Sequence, residues 1–276
     1  MAPKTGLHRA SKRLGQNFLV RPEIAEEIVS SIMPGSSDVV LEPGPGHGTL
    51  TRFLVNKAGK VIAIEKDPIL ARELRDTFRS QDNLTILEGD VLKMGEELPR
   101  FNKLVSTPPY YISSKLTLLL TKKNFDVAAI VFQKEFGDRL LAEPGSAEYG
   151  RLTIMARRKL NVEKIRDISR KAFSPQPKVD SSLLRFTPKK GLSEIDEMLF
   201  EEMVRGIFTQ RRRVLRGALI HFLALKYGRA RGRELVGRMT IPDARVYQLS
   251  IPQLESLSLR LLRVITDGII GGELNG

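Results

Sequence analysis

The 276-residue sequence contains no cysteine and only three histidines. Without cysteine there are no disulfides, thiolate metal sites or cysteine nucleophiles, which fits an intracellular protein. His8, His47 and His221 have no metal-ligand spacing, so no metal is expected. No apolar run reaches the roughly 18 residues of a membrane span. The opening MAPKTGLHRASKR also lacks the apolar stretch of a secretory signal. A soluble, monomeric, cytoplasmic protein with no membrane partner is expected. There is no internal repeat, no low-complexity tract and no P-loop Gly-Lys-Ser.

Acidic residues are the minority charge. Forty-five Lys and Arg against 32 Asp and Glu give a formal net charge of +13. Such an excess keeps a protein soluble, and it also suits a polyanionic partner.

Apolar periodicity divides the chain. Ile24, Ile28 and Ile32 predict a helix over residues 21–34, opened by Pro22 and stopped by Pro34-Gly35. Short apolar runs at 39–41, 61–64, 84–87, 103–105 and 127–132 read as buried strands separated by helical or turn segments. This alternation predicts an α/β fold with a parallel sheet covered on both faces. Residues 162–168 and 181–186 predict a final pair of strands, joined through Phe173-Ser174-Pro175-Gln176-Pro177. Beyond Pro188-Lys189-Lys190-Gly191 the pattern becomes helical: 195–208, 211–227 and pieces around Leu235 and Leu254. A boundary near 190 therefore separates a domain of residues 1–190 from a small all-helical domain of residues 191–276.

The chemistry concentrates at strand ends. Glu42-Pro43-Gly44-Pro45-Gly46-His47-Gly48 follows a strand and precedes a helix, where open α/β sheets bind ligands. Glu65 ends the next strand, where a carboxylate accepts the two hydroxyls of a ribose. Asp90 ends the third and can accept an adenine amine. Each of these alone also suits a tight turn or helix cap. Together they describe an adenosyl ligand, and the glycine spacing argues against NAD and ATP. His47 reads as a permissive loop position.

The fourth strand ends in Ser106-Thr107-Pro108-Pro109-Tyr110. The amine of adenine is a poor nucleophile because its lone pair is delocalised into the ring. A site that alkylates it must hold its hydrogens with acceptors and stack the flipped base on an aromatic ring. The Thr107 hydroxyl, the Pro108 carbonyl and Tyr110 supply that set, although a proline turn with a packed tyrosine has the same composition.

Seven segments in order carry a resemblance over almost the whole chain: Leu14-Gly15-Gln16-Asn17-Phe18-Leu19, Glu42-Pro43-Gly44-Pro45-Gly46, Ile64-Glu65-Lys66-Asp67, Glu88-Gly89-Asp90, Pro109-Tyr110 with Ile112-Ser113-Ser114, Phe132-Gln133-Lys134-Glu135, and Phe173 through Ser181. The chain resembles the ribosomal RNA adenine dimethyltransferases. That resemblance implies a Rossmann-like class I S-adenosylmethionine methyltransferase sheet with a small C-terminal all-helical domain. It implies that Asn17 and Leu19 join Gly44, Glu65, Asp90 and Thr107 around S-adenosylmethionine, and that Tyr110 and Phe173 stack the target base. It also implies dimethylation of two adjacent adenosines near the 3′ end of small-subunit rRNA, in free RNA or in the immature small ribosomal subunit. One position departs from the family's pattern: Thr107 stands where an asparagine is usual, with a shorter reach towards the adenine amine.

In the C-terminal part Arg205, Arg211, Arg212, Arg213 and Arg216 form a cationic run. On a helix Arg212 and Arg216 share one face, and Leu215, Leu219 and Phe222 another. A solvated face is the ordinary reading of such a run. With the family likeness, RNA phosphate contact is expected. Two alternatives stand beside small-subunit dimethylation: a related enzyme acting on large-subunit RNA, and an assembly factor of the same fold with weak or no transfer because of Thr107.

Overall fold

The computed structural model describes residues 15–273; Leu14 of the first motif and His8 lie outside them. The elements run β1 (Phe18–Leu19), α1 (Pro22–Ser30), β2 (Val39–Pro43), α2 (Thr51–Leu54), β3 (Lys60–Glu65), α3 (Pro68–Thr77), β4 (Leu84–Glu88), β5 (Lys103–Ser106), α4 (Ser113–Leu120), β6 (Val127–Gln133), α5 (Lys134–Leu141), α6 (Arg151–Lys159), β7 (Leu160–Ile168), β8 (Phe173–Ser174), β9 (Ser181–Pro188), α7 (Glu197–Phe208), α8 (Leu215–Tyr227), α9 (Arg229–Gly237) and α10 (Ile251–Glu273).

Seven strands form one sheet in the order β4-β3-β2-β5-β6-β9-β7. The five strands from β4 to β6 are parallel, whereas β9 pairs antiparallel with both β6 and β7. The sheet is therefore mixed and not wholly parallel, because β7 and β9 form a hairpin-like pair on its edge. Val40, Leu41, Val61, Ala63, Leu104 and Val105 are fully buried, as expected for parallel strands covered on both faces; each large apolar side chain so buried contributes about 1.5–3 kcal/mol. The chain order reverses between β2 and β5, which makes their adjacent ends the crevice of the sheet.

Local chemistry sets the helix starts. Asp67 Oδ1 accepts from the Ile69 amide at 3.0 Å with Pro68 in the first turn, and Asp196 Oδ1 accepts from Leu199 at 2.8 Å. Each cap is worth about 1 kcal/mol.

The described residues form two compact units: those up to Asp138 with Leu160–Pro188, and Arg139–Lys159 with those from Lys189 on. Residues 139–159, placed by sequence in the first domain, thus pack with the C-terminal helices. Tyr149 and Ile154 join Phe200, Met203, Leu219 and Leu254 in one apolar cluster, and the Tyr149 hydroxyl donates to the Leu249 carbonyl at 2.9 Å. Among the described residues no helix is long and apolar enough to cross a membrane.

Candidate active site and nucleic-acid interface

The ends of β2, β3, β4 and β5 are tied into one rim. Gly44 N–H donates to the Ile64 carbonyl (2.9 Å), Gly89 N–H to the Glu65 carbonyl (2.8 Å), and Ser106 Oγ to the Pro43 carbonyl (2.6 Å). Above this rim lies a solvent-open cleft of about 850 Å³. Asn17, Leu19, Gly44, Glu65, Asp90 and Thr107 all line it. Every residue that sequence assigned to the adenosyl ligand therefore lines the same space.

The glycine loop works through left-handed backbone. Gly46 has φ +59°, and a Cβ there would stand 2.9 Å from the Phe18 ring. Any side chain would force the Phe18 ring, between Asn17 and Leu19 in the chain, to shift. Phe18 in turn packs on His47 with ring centroids 4.3 Å apart. His47, read from sequence as a permissive position, is thus part of the cleft wall.

Glu65 is almost wholly buried, and its carboxylate accepts from the Gly46 amide (3.1 Å) and the Asp67 amide (2.9 Å). Burial raises its pKa, against the pull of these N–H groups. Asp90 uses Oδ1 to hold the Leu92 amide (3.1 Å) and Oδ2 to meet Lys66 Nζ (3.0 Å). Burial opposes its charge, but Lys66 and the Leu92 amide hold its pKa below the ordinary value. Both carboxylates thus serve as turn formers and also border the cleft.

Sequence reasoning passed over two neighbours. Glu42, quoted as part of the glycine motif, is 1 % exposed: Thr51 Oγ1 donates to Oε2 at 2.7 Å, and Oε1 has no partner. Burial, reinforced by the charge of Glu65, raises its pKa to about 8. Tyr111 lines the cleft beside Tyr110 although more than half exposed. A tyrosine doublet in a loop gives no signal of which ring turns which way.

A second, smaller cavity of about 220 Å³ is lined by Asn17, Thr107, Pro108, Tyr110, Val131 and Phe173. Phe173 reaches it because β8 pairs with β1, Leu19 opposite Phe173. The Tyr110 hydroxyl is 2.7 Å from Ser181 Oγ, and burial raises its pKa. Asn17 and Thr107 line both this cavity and the larger cleft. Among the described residues no group of three or more His, Asp or Glu could hold a metal ion.

The helical unit corrects the reading of the arginine run. Arg211–Arg213 are in a turn, and α8 begins only at Leu215. The reason is backbone pairing: Tyr247 and Val246 amides donate to the carbonyls of Arg211 and Arg213, and Leu215 donates to Ala244, so this stretch cannot be helical. Arg212 and Arg216 therefore do not share a helix face. Arg211 turns inward, donating to the Ser146 carbonyl (3.0 Å) with its guanidinium 5.8 Å from the Tyr247 ring centre. Arg205, Arg212, Arg213 and Arg216 are exposed. Arg245, which sequence did not single out, donates to the Arg212 carbonyl and lines a hollow of about 760 Å³ with Arg211, Arg212 and Tyr247. Leu215, Leu219 and Leu223 form the buried face of α8, while Phe222 is only partly buried.

A family profile described as "Ribosomal RNA adenine dimethylase" matches residues 7–232. The chain is 42% identical over 251 residues to a protein of Thermococcus kodakarensis named "Probable ribosomal RNA small subunit methyltransferase A", covering 90% of this chain and 88% of that one. Its fold is similar to the crystal structure of a dimethyladenosine transferase from Plasmodium falciparum, with a TM-score of 0.76 and 28% identity over 91% of this chain and 98% of that one. It is also similar to the 23S rRNA methyltransferase ErmE, with a TM-score of 0.63 and 27% identity over 90% and 99% of the two chains. Together with the strand-end rim and its two joined cavities, these matches place the chain in the ribosomal RNA adenine dimethylase family.

Proposed function

We propose that the protein transfers methyl groups from S-adenosylmethionine to the exocyclic amines of two adjacent adenosines near the 3′ end of small-subunit rRNA, during assembly of the subunit. The observation that carries this reading is the shared wall: Asn17 and Thr107 border both the cleft and the cavity of Tyr110 and Phe173. A donor in one and an acceptor base in the other meet there.

The residues of the cleft fit the donor. Glu65 and Asp90 offer acceptors for ribose hydroxyls and an adenine amine, and Gly44 and Gly46 leave space for close approach. When bound, S-adenosylmethionine supplies an electrophilic methyl group on a sulfonium. The protein's own task is positioning. Tyr110 and Phe173 stack the base and exclude water, while the Thr107 hydroxyl and the Pro108 carbonyl accept the amine hydrogens and localise its lone pair. The amine proton leaves to solvent after transfer.

The small-subunit assignment draws on the naming of the 42%-identical relative; the large-subunit enzyme is more distant at 27%. RNA is held through Arg205, Arg212, Arg213, Arg216 and Arg245, chiefly by phosphate contact. The test incubates the protein with labelled S-adenosylmethionine and, in parallel, unmethylated small subunits, free small-subunit rRNA and large-subunit rRNA. Label in a small-subunit sample is expected. Label confined to large-subunit RNA would overturn the substrate, and no label with the cofactor still bound would overturn the activity.

A further inference from the structure

In the helical unit many cations are already matched by acids. Arg157 pairs with Glu143, Arg158 with Glu197 and Glu255, Lys159 with Glu197, and Lys226 with Glu202. The end of α9 and the middle of α10 are different. Arg238, Arg260 and Arg263 line one hollow of about 600 Å³ with Met239, Thr240 and Val264, and among the described residues no carboxylate lines it. Arg238 pairs with Glu234, which also pairs with Arg231. Arg260 spends one N–H on the Thr240 carbonyl at 2.7 Å, which anchors its head beside the hollow. Arg263 is exposed and forms no ion pair with a described residue.

Arg238 is the one of the three in an ion pair with a described residue, so the concavity keeps a local excess of positive charge that an anion would offset. Each guanidinium carries five donors in a planar fork matched to two oxygens of a phosphodiester. The floor of Met239 and Val264 offers no competing acceptor side chain, and Thr240 adds a hydroxyl. We infer that this hollow is a phosphodiester-binding site that grips the backbone of the substrate RNA through Arg238, Arg260 and Arg263, in addition to the arginines between Arg205 and Arg216. The inference rests on the reading of RNA as the substrate. It extends the RNA footprint to α10, which no motif in the sequence marks.

Binding of an unmodified transcript of the small-subunit rRNA 3′ region is measured from 50 to 300 mM salt for the wild type and an Arg260→Gln/Arg263→Gln variant. A Lys60→Gln/Lys122→Gln variant, which removes the same charge from exposed positions of the other unit, is the control. Two lost phosphate contacts lower the slope of log affinity against log salt by about 1–2, and weaken binding at 100 mM salt by about tenfold. The control is expected to change the slope far less. Unchanged cofactor affinity and thermal melting show that the arginine variant is folded.

An unaltered slope in that variant, or an equal loss in the control, overturns the site. Titration with inorganic phosphate forms a second arm. A phosphate site lost in the variant without any change in RNA binding would assign the hollow to small anions and overturn the RNA contact. If the wild type binds the transcript but transfers no methyl, the parent reading of the activity fails, while the slope still decides this site.

Discussion

The Tyr110 hydroxyl lies 2.7 Å from Ser181 Oγ, and Ser181 is fully buried at the start of β9. This bond fixes the plane of an aromatic ring at the mouth of the proposed base cavity. Tyr110→Ala removes the stacking surface and is expected to lower transfer by about 5- to 150-fold, the equivalent of 1–3 kcal/mol of base stacking. Tyr110→Phe keeps the surface but strands a buried hydroxyl at a cost of about 1–3 kcal/mol of stability. Its melting temperature should fall while much of the rate survives. Single-turnover kinetics beside thermal melts check the pair, and equal rates for the two variants would remove stacking from the account.

Thr107 borders both cavities, with one hydroxyl where a carboxamide would reach further. Thr107→Asn is expected to raise the rate of transfer by about 10-fold or more with little change in the KM for S-adenosylmethionine, in keeping with the cost of one oriented hydrogen-bond partner. Steady-state kinetics at saturating RNA measure it. A rate that stays the same or falls contradicts the role given to this position.

Gly46 has left-handed backbone and no room for a Cβ against Phe18. Gly46→Ala adds about 1–2 kcal/mol of backbone strain and forces the Phe18 ring, flanked in the chain by Asn17 and Leu19, to shift. Calorimetric titration should show cofactor affinity reduced by about tenfold or more, given that 1.4 kcal/mol is a factor of ten. Affinity equal to the wild type would mean that the N-terminal segment does not shape the site.

Glu42 gives the protein a pH signature. Its folded pKa of about 8 lies above the unfolded value of 4.5, so the folded state keeps a proton that the unfolded state loses. The stability from this group is full below about pH 4.5 and declines as pH rises to about 8. At about 1.4 kcal/mol per pH unit over that window the ceiling is about 5 kcal/mol. Glu65, whose pKa is also raised, adds to the same trend. Urea unfolding at pH 6 and pH 8 should show wild-type stability falling, with a much smaller fall in Glu42→Gln. Parallel pH profiles for the two proteins would contradict a protonated Glu42.

What was legible in sequence is the part fixed by local pattern. Glycine loop, Glu65 and Asp90 converge because parallel strands end in step, with Glu65 in register with Glu88; spacing along the chain then becomes spacing along a rim. What depended on distant partners was not legible. Phe18-Leu19 and Phe173-Ser174 are two-residue strands that exist only through each other. The helix α6 hid because its buried face includes Arg158, which is 2 % exposed and neutralised by Glu197 and Glu255, so no apolar stripe marks it. In the run Arg211–Arg213 the three side chains look alike in sequence. Ser146 and Tyr247 decide that Arg211 turns inward.

The most direct test is the chemical identity of the product. Unmethylated small-subunit rRNA is incubated with the protein and S-adenosylmethionine, digested to nucleosides and analysed by mass spectrometry, with the modified positions mapped by primer extension. The account predicts N6,N6-dimethyladenosine at two neighbouring positions near the 3′ end, and its loss in Tyr110→Ala. A methylated base other than adenine, or unmodified RNA from protein that binds the cofactor, would contradict it.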